Sequence, residues 1–448
     1  MASTYLSFTP SSTGNQRTFT FSFWVQRSKL GLGGTGQVIY CQSYGSDGYQ
    51  FKIEFTSNDE FRLYNSKGAS DAINLKTSKL FRDTSSWYAI TVEIDTTQST
   101  ESDRAKIYVN GVQETAFGTS TYPTQNLELD VNAAAAQIIG AKYSGSYSTY
   151  FDGLLSQFIF VDGTAYAAST FGSTNTVSGE WKPNANPTVT YGSNGYKLTF
   201  EDTSALGDDT SGNTNDFTMS GSGTSTKDCP SNVFATWNPA FMPFNIGNGR
   251  ADNGGTTIGS PGGDSSSLAS MGARSGKYYW EIRVQNAVNT RSCGVVRSDL
   301  QGQSSTSAIY PGGNGNASNF TSAYNMVNGF VQTVTGGTQA QQGSLATLTT
   351  GDFLGVALDI DNLDIKWYKN DSLVTTTSLT SAWIENGLFI MPCNRLDGNQ
   401  FVEYNFGNGC FGSTQLTGTT YPGEGGLGIF KYEPPSGFTA LSTKGLNL

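Results

Sequence analysis

Histidine is absent from the chain. Its absence removes the side chain most often used as a general base, as a switch near neutral pH and as a metal ligand. Cysteine is scarce and scattered: Cys41, Cys229, Cys293, Cys393 and Cys410 lie far apart, and no two have the C-x-x-C spacing of a structural zinc site. An odd number of dispersed thiols fits folding in a reducing cytosol, with each thiol buried as a small apolar group. Charge is also sparse, at 14% of residues with a net charge of −10. The 26 Lys and Arg residues are spread along the chain, so no basic stripe is available to neutralise phosphates and nucleic acid is not an expected partner. No apolar run approaches membrane-spanning length, so membrane insertion is not expected. The opening MASTYLSFTPSSTGNQRTFT has neither the basic nor the apolar region of a signal peptide. The expectation is a soluble protein made in a cytoplasm that leaves by lysis or inside a particle.

Aromatic residues, by contrast, reach 12%, too many for a disordered chain. The 54 glycines, with many Ser, Thr and Asn, separate short aromatic or β-branched runs. Long amphipathic helical patterns are missing, and many short strands joined by turns are the expected fold. At 448 residues there is room for two domains or more, each with its own core.

The first strong strand is Arg17 to Ser28, RTFTFSFWVQRS. Phe19, Phe21, Phe23 and Val25 share one face, and Thr18, Thr20, Ser22 and Gln26 the other; Trp24 breaks that polarity, so its face is expected to be partly covered. QVIYCQS (37–43), YQFKIEF (49–55), FRLYN (61–65) and WYAITVEID (87–95) follow. In RAKIYVNGVQETAF (104–117), Asn110-Gly111 separates two alternating runs and supplies the positive φ angles of a tight hairpin. AQIIGAKY (136–143), FDGLLSQFIFVDGTAY (151–166) and YGSNGYKLTFED (191–202) complete the first region. As an ordered series, these segments resemble the laminin-G and pentraxin-like branch of the concanavalin-A-like fold over roughly residues 1–170.

A polar stretch rich in Gly, Ser, Thr and Asn, residues 206–232, is the expected linker between a first domain at 1–205 and a second at 233–448. In the second domain GKYYWEIRV (276–284) sets Tyr278, Trp280, Ile282 and Val284 on one face and Lys277, Tyr279, Glu281 and Arg283 on the other. CGVV, then GDFLGVALDIDNLDIKWYKN, then FVEYNFG follow, and this series resembles a SPRY domain, another β-sandwich. The expected fold is therefore all-β, with two antiparallel β-sandwich (jelly-roll, concanavalin-A-like) domains in tandem.

Some concanavalin-A-like folds are glucanases that carry E-x-D-x-x-E on one strand. Here Glu93 and Asp95 share a face, but Gln98 fills the third place, and an amide cannot protonate a leaving oxygen. No catalytic residue is assigned. Asp359, Asp361 and Asp364 could be taken for a metal cluster, but Asp361-Asn362 fits a hairpin turn between regularly alternating runs. Asp209, Ser211, Asn213, Asn215 and Asp216 supply the alternating oxygens that calcium takes from a tight loop, or else Asx turns that hold the loop by itself. Calcium is the one cofactor this pattern admits. KYSGSYSTY (142–150) places Tyr143, Tyr147 and Tyr150 among Ser and Gly, a composition suited to a contact surface for a glycan or a neighbouring subunit. The low-complexity span 301–343, with Tyr310 and Tyr324, is a second candidate surface, too long for a routine connection. GNGNAS and TGGT are not phosphate loops, because no Gly-Lys-Ser/Thr follows and no helix is expected there.

The tandem order, the linker DTSGNTNDF…CPSNVFATWNP and the ending YEPPSGFTALSTKGLNL resemble virion proteins of marine and cyanobacterial tailed phages. That resemblance implies a structural role without catalysis, with other virion proteins and a host-surface glycan as partners. It further implies a tail-fibre or appendage component and a homo-oligomer, trimer favoured because phage fibres commonly use threefold symmetry. The sandwich pattern begins almost at Met1, leaving no separate anchor and no heptad stalk, which keeps a capsid decoration or head-fibre protein as the alternative. A polysaccharide depolymerase is a third possibility, disfavoured by the missing histidines and by Gln98.

Overall fold

The computed structural model describes residues 3–31, 34–44, 48–239, 244–245, 250–260, 262, 264–286, 291–300, 320–398 and 400–448. Strands and turns dominate, helices are confined to short 3-10 turns among the described residues, and the chain divides into two compact units, Met1–Ser225 and Thr226–Leu448.

In the first unit an eight-stranded antiparallel sheet runs in the order Phe117–Thr121, Ser70–Leu80, Glu60–Lys67, Tyr49–Phe55, Gln37–Ser43, Gln137–Ile139, Tyr5–Phe8, Thr218–Ser220. A six-stranded sheet faces it, ordered Tyr196–Leu198, Gly153–Asp162, Thr18–Arg27, Tyr88–Asp95, Ala105–Val109, Val112–Gln113. The period-2 alternation of Thr18–Arg27 delivers Phe19, Phe21, Phe23 and Val25 into the space between the sheets, where they meet Tyr40, Phe51, Ile53, Leu63 and Leu75 of the opposite layer. Phe19 and Phe51 meet edge-to-face at 5.7 Å, and Phe21 lies 4.6 Å from Tyr40. The other face of the strand is covered as well. Trp24 is buried, Thr20 Oγ1 donates to Thr164 O at 2.9 Å, and Gln26 Nε2 donates to Thr84 O at 3.2 Å. Asn110 (φ 49°) and Gly111 (φ 78°) make the tight turn joining Ala105–Val109 to Val112–Gln113, the conformation that Asn-Gly favours.

The polar stretch expected as a linker is largely built into the first unit. Thr218–Ser220 pairs with Tyr5–Phe8, with Leu6 opposite Met219, and the Phe217 ring packs against Tyr196 at 4.7 Å. Its Ser, Thr and Asn side chains mark local turns, while one aromatic anchors the segment to the core.

In the second unit one sheet is ordered Phe244–Asn245, Asp264–Leu268, Ile390–Asp397, Arg291–Arg297, Thr321–Asn325, Phe330–Thr335, Thr338–Gln342. The other is ordered Arg250–Asp252, Thr257–Ser260, Gln400–Asn405, Lys277–Val284, Phe353–Asp359, Asp364–Lys369, Ser372–Ser378, and the short Thr439–Ala440 adds to Lys277–Val284 in parallel. Tyr278, Trp280, Ile282 and Val284 enter a core shared with Cys293, Val295, Tyr324, Val331, Trp367 and Leu396. Within the span expected as one long loop, residues 320–342 form three paired strands instead. Their turns are Asn328-Gly329 and Gly336-Gly337, and their alternation is muted by Ser, Thr and Gln.

The double burial of Thr18–Arg27 makes it a sensitive strand of its unit. Phe21→Ala is expected to cost about 3–5 kcal/mol in urea unfolding followed by amide exchange of Thr18–Arg27, whereas Gln113→Ala, on an exposed edge strand, should change it by under about 0.5 kcal/mol.

Candidate functional site

The outer face of Gln37–Ser43 carries a small apolar patch, Val38 and Cys41, joined by Ile138 and Ala141. Over it folds a hairpin, Lys142–Tyr143 paired with Tyr147–Ser148, so the segment is a two-stranded ribbon. Gly145 at φ 80° lets the chain turn, and Val38 N–H donates to Thr149 O at 3.1 Å to fix the ribbon's end on the sheet. Tyr143, Tyr147 and Tyr150 all pack on the apolar patch and remain half-buried. The Tyr147 ring stacks on Tyr5 at 3.9 Å and lies 4.9 Å from Tyr143. Burial first, then the hydrogen bond with Tyr5 and the neighbouring phenols, push the Tyr147 hydroxyl up to about 12, so it stays neutral at physiological pH. Three of the five expected contact tyrosines are thus brought together on one ribbon, and sequence pointed to all three. Tyr5, the fourth ring, was missed, since its strand neighbours give no hint that it reaches residue 147.

The other two candidates do not join them. Tyr324 is a core residue with no exposed surface; its hydroxyl donates to Ala346 O at 2.5 Å, so its assignment to a contact surface is corrected. Tyr310 lies outside the described residues.

The loop of Asp209, Ser211, Asn213, Asn215 and Asp216 is held by hydrogen bonds within the protein. Asp209 Oδ1 accepts from Lys197 N at 2.8 Å and Ser211 N at 2.9 Å, while Oδ2 accepts from Ser211 Oγ at 2.8 Å and Asn215 N at 2.9 Å. Asp216 Oδ1 accepts from Asp209 N at 2.9 Å. Asn213 Nδ2 donates to Gly192 O and Gly195 O, and Asn215 Nδ2 to Ser193 O and Gly195 O. A calcium ion needs oxygens free to converge on it. Here both carboxylate oxygens of Asp209 already take two donors each, so this carboxylate caps the loop's own turns.

The acidic strand also closes on itself. Glu93 accepts from the Tyr108 hydroxyl at 2.9 Å and pairs with Lys106 at 3.6 Å. Asp95 caps its turn, accepting from Thr97 N at 3.0 Å and from Gln98 Nε2 at 2.6 Å; burial works to raise its pKa, and the bonds from Thr97 and Gln98 outweigh burial and hold it below the usual carboxylate range. Asp359 pairs with Lys277 at 3.0 Å and caps Asn362, and Asp361 accepts from Gly276 N at 2.8 Å.

Sequence reasoning also missed a buried carboxylate. Glu281, expected on an outer face, has no exposed surface because the 421–440 segment folds over it. It accepts from Lys431 N at 2.9 Å, Tyr432 N at 2.8 Å and Asn405 Nδ2 at 3.1 Å. Burial pushes its carboxyl up to about 7 against the pull of those donors. The large ring of Tyr279 on the same face was the available signal that this face is covered.

The family model described as the concanavalin A-like lectin/glucanases superfamily matches residues 1–169. Similar solved structures include the SPRY domain of human HERC1, at 19% identity over 38% of this chain and 96% of that one, with a TM-score of 0.29. The TRIM65 PSpry domain is similar at 12% identity over 38% of this chain and 91% of that one, TM-score 0.29. The native heptameric SAP-like pentraxin from Limulus polyphemus is similar at 15% identity over 41% of this chain and 86% of that one, TM-score 0.29. No curated protein matches the chain. The fold is all-β and concanavalin-like, a jelly-roll architecture of packed antiparallel sheets.

Two outcomes follow. Asp209→Ala leaves three backbone N–H groups without their acceptor and should lower stability by about 2–3 kcal/mol, while millimolar calcium or EDTA should leave the melting temperature of the wild-type chain unchanged. Glu281 binds its proton more tightly folded than unfolded, where its ordinary value is 4.5. Its contribution therefore favours the folded state at low pH and is lost as pH rises from about 4.5 to about 7. Stability measured by urea unfolding should fall by about 1–3 kcal/mol across that interval, and Glu281→Gln should flatten the profile.

Proposed function

We propose that this chain is a virion structural protein of a tailed bacteriophage, a tail-fibre or appendage component with a lectin-like role in host-surface binding or particle assembly. The observation that carries the binding part is the Tyr5–Tyr147–Tyr143 stack, half-buried on the outer face of a rigid sheet. Aromatic rings held this way present wide contact area at little further loss of rotamer freedom. The carboxylates at 93, 95, 359 and 361 are each engaged in turns or ion pairs, which supports a molecule working by shape rather than turnover. The virion assignment rests on the resemblance of the tandem order and the chain's ending to phage proteins. A homotrimer and a location in the particle follow from the same likeness.

The test uses the full chain and envelope preparations of the host bacterium. Binding should weaken at least tenfold for Tyr147→Ala, the loss expected of a central aromatic contact, with the circular dichroism spectrum unchanged. Undiminished binding by that variant would refute the tyrosine surface, and release of reducing sugar from host polysaccharide would refute a role without catalysis. Binding to purified particles in place of envelope, with the same sensitivity to the variant, would assign the chain to assembly.

A further inference from the structure

Open strand edges invite pairing with other chains, and natural sheets blunt them by shortness, charge, proline or a break in register. Each large sheet here ends on two edge strands. In the first unit Val112–Gln113 has two residues, Tyr196–Leu198 and Thr218–Ser220 have three each, and Phe117–Thr121 breaks its register between Phe117 and Thr119. In the second unit Phe244–Asn245 has two residues, Arg250–Asp252 is short and charged at both ends, and Ser372–Ser378 shifts register between its partners Trp367 and Tyr368. Thr338–Gln342, TQAQQ, has none of these devices. It runs five residues in unbroken register with Phe330–Thr335, holds no charge and no proline, and is exposed at every position.

The direction of its backbone groups follows from its turn. Gly336 and Gly337 have φ of 54° and 86°, which makes a two-residue hairpin turn between Thr335 and Thr338. The pair that closes such a turn exchanges its hydrogen bonds, and bonded and non-bonded pairs alternate from there. Thr338, Ala340 and Gln342 therefore bond inward, while Gln339 and Gln341 turn their N–H and C=O groups out. Among the described residues no backbone group meets them.

A second copy of the chain suits this edge. At a net charge of −10 two copies repel each other overall, but TQAQQ carries no charge. Neither does the neighbouring edge Ser372–Ser378, to which Gln342 Nε2 is tied by donating to Thr376 O at 3.1 Å. Antiparallel pairing centred on Ala340 sets Gln339 of one copy against Gln341 of the other, so the outward backbone groups meet. The facing side-chain amides can each donate and accept. The small Ala340 meets its own equivalent at the twofold axis. Because both copies use the same strand, the pairing closes at two chains and does not grow into a filament.

We propose that Thr338–Gln342 pairs antiparallel with the same strand of a second copy, joining two seven-stranded sheets into one. This contact goes beyond the binding reading above and needs nothing from the tyrosine ribbon.

Analytical ultracentrifugation of the full chain at low ionic strength, over a concentration series, tests it. One short edge makes a small interface, so a weak pair is expected, with sedimenting mass rising with concentration toward that of two chains. Ala340→Lys and Ala340→Glu, at an exposed position, should each keep the circular dichroism spectrum and weaken the pair at least tenfold, because like charges then meet at the axis. An equal mixture of the two variants should restore pairing, since Lys then faces Glu. A chain that stays single at every concentration, or a mixture that fails to recover, would overturn the proposal. A trimer or other assembly unaffected by either variant would overturn the edge contact and leave the proposed function standing.

Discussion

Alternate side chains of Thr18–Arg27 face two different buried environments, and that constraint organises the first unit. One set, Phe19, Phe21, Phe23 and Val25, fills the space between the sheets. The other set, Thr20, Ser22, Trp24 and Gln26, is buried under covering segments, with Thr20 Oγ1 and Gln26 Nε2 donating to backbone carbonyls and Ser22 Oγ 3.4 Å from the Thr91 hydroxyl. A one-residue slip would send the phenyl rings into a layer built for hydrogen bonds, so the register is fixed. A covalently continuous, doubly buried strand gives the eight-stranded sheet opposite a rigid floor. The outer face of that sheet carries the tyrosine ribbon, packed on its own apolar patch.

A second constraint reinforces the same unit. The guanidinium of Arg27, with no exposed surface, donates to Phe81 O at 2.6 Å and pairs with Asp59 at 3.0 Å, while Asp59 also accepts from Gly31 N and Arg82. Charges this deep are tolerated only beside an opposite charge, and the pairing ties three loops together at one point. The second unit uses a related device, since Glu281 gathers the backbone of Lys431 and Tyr432 over the outside of its own sheet. In both units a single buried carboxylate holds a covering segment where apolar contact alone would leave backbone donors unpaired.

Strand periodicity made much of this legible beforehand. The alternation in 17–28 and 276–284, and Asn110-Gly111 as a turn, all translate directly into the observed strands and hairpin, because each depends only on neighbours in sequence. The three tyrosines of 142–150 were legible for the same reason, being on one short ribbon. Their stacking partner Tyr5 was not, because the pairing of Tyr5–Phe8 with Gln137–Ile139 is a long-range event. Tyr324 misled because Ser, Thr and Gly around it mask a buried strand as a loop. The oxygens of 209–216 suggested a cation, since sequence gives the atoms but not whether their lone pairs are already taken. The burial of Glu281 stayed hidden, as its cover comes from a segment about 150 residues away in the chain.

We propose that this molecule acts by presenting a half-buried aromatic face to another surface. A reconstruction of purified particles adsorbed to host envelope, at side-chain resolution, tests it most directly. The chain should be found in the particle with its Lys142–Tyr150 ribbon pressed against the host surface or a neighbouring subunit. A particle lacking the chain, or a ribbon standing in open solvent while the particle is adsorbed, would overturn this proposal.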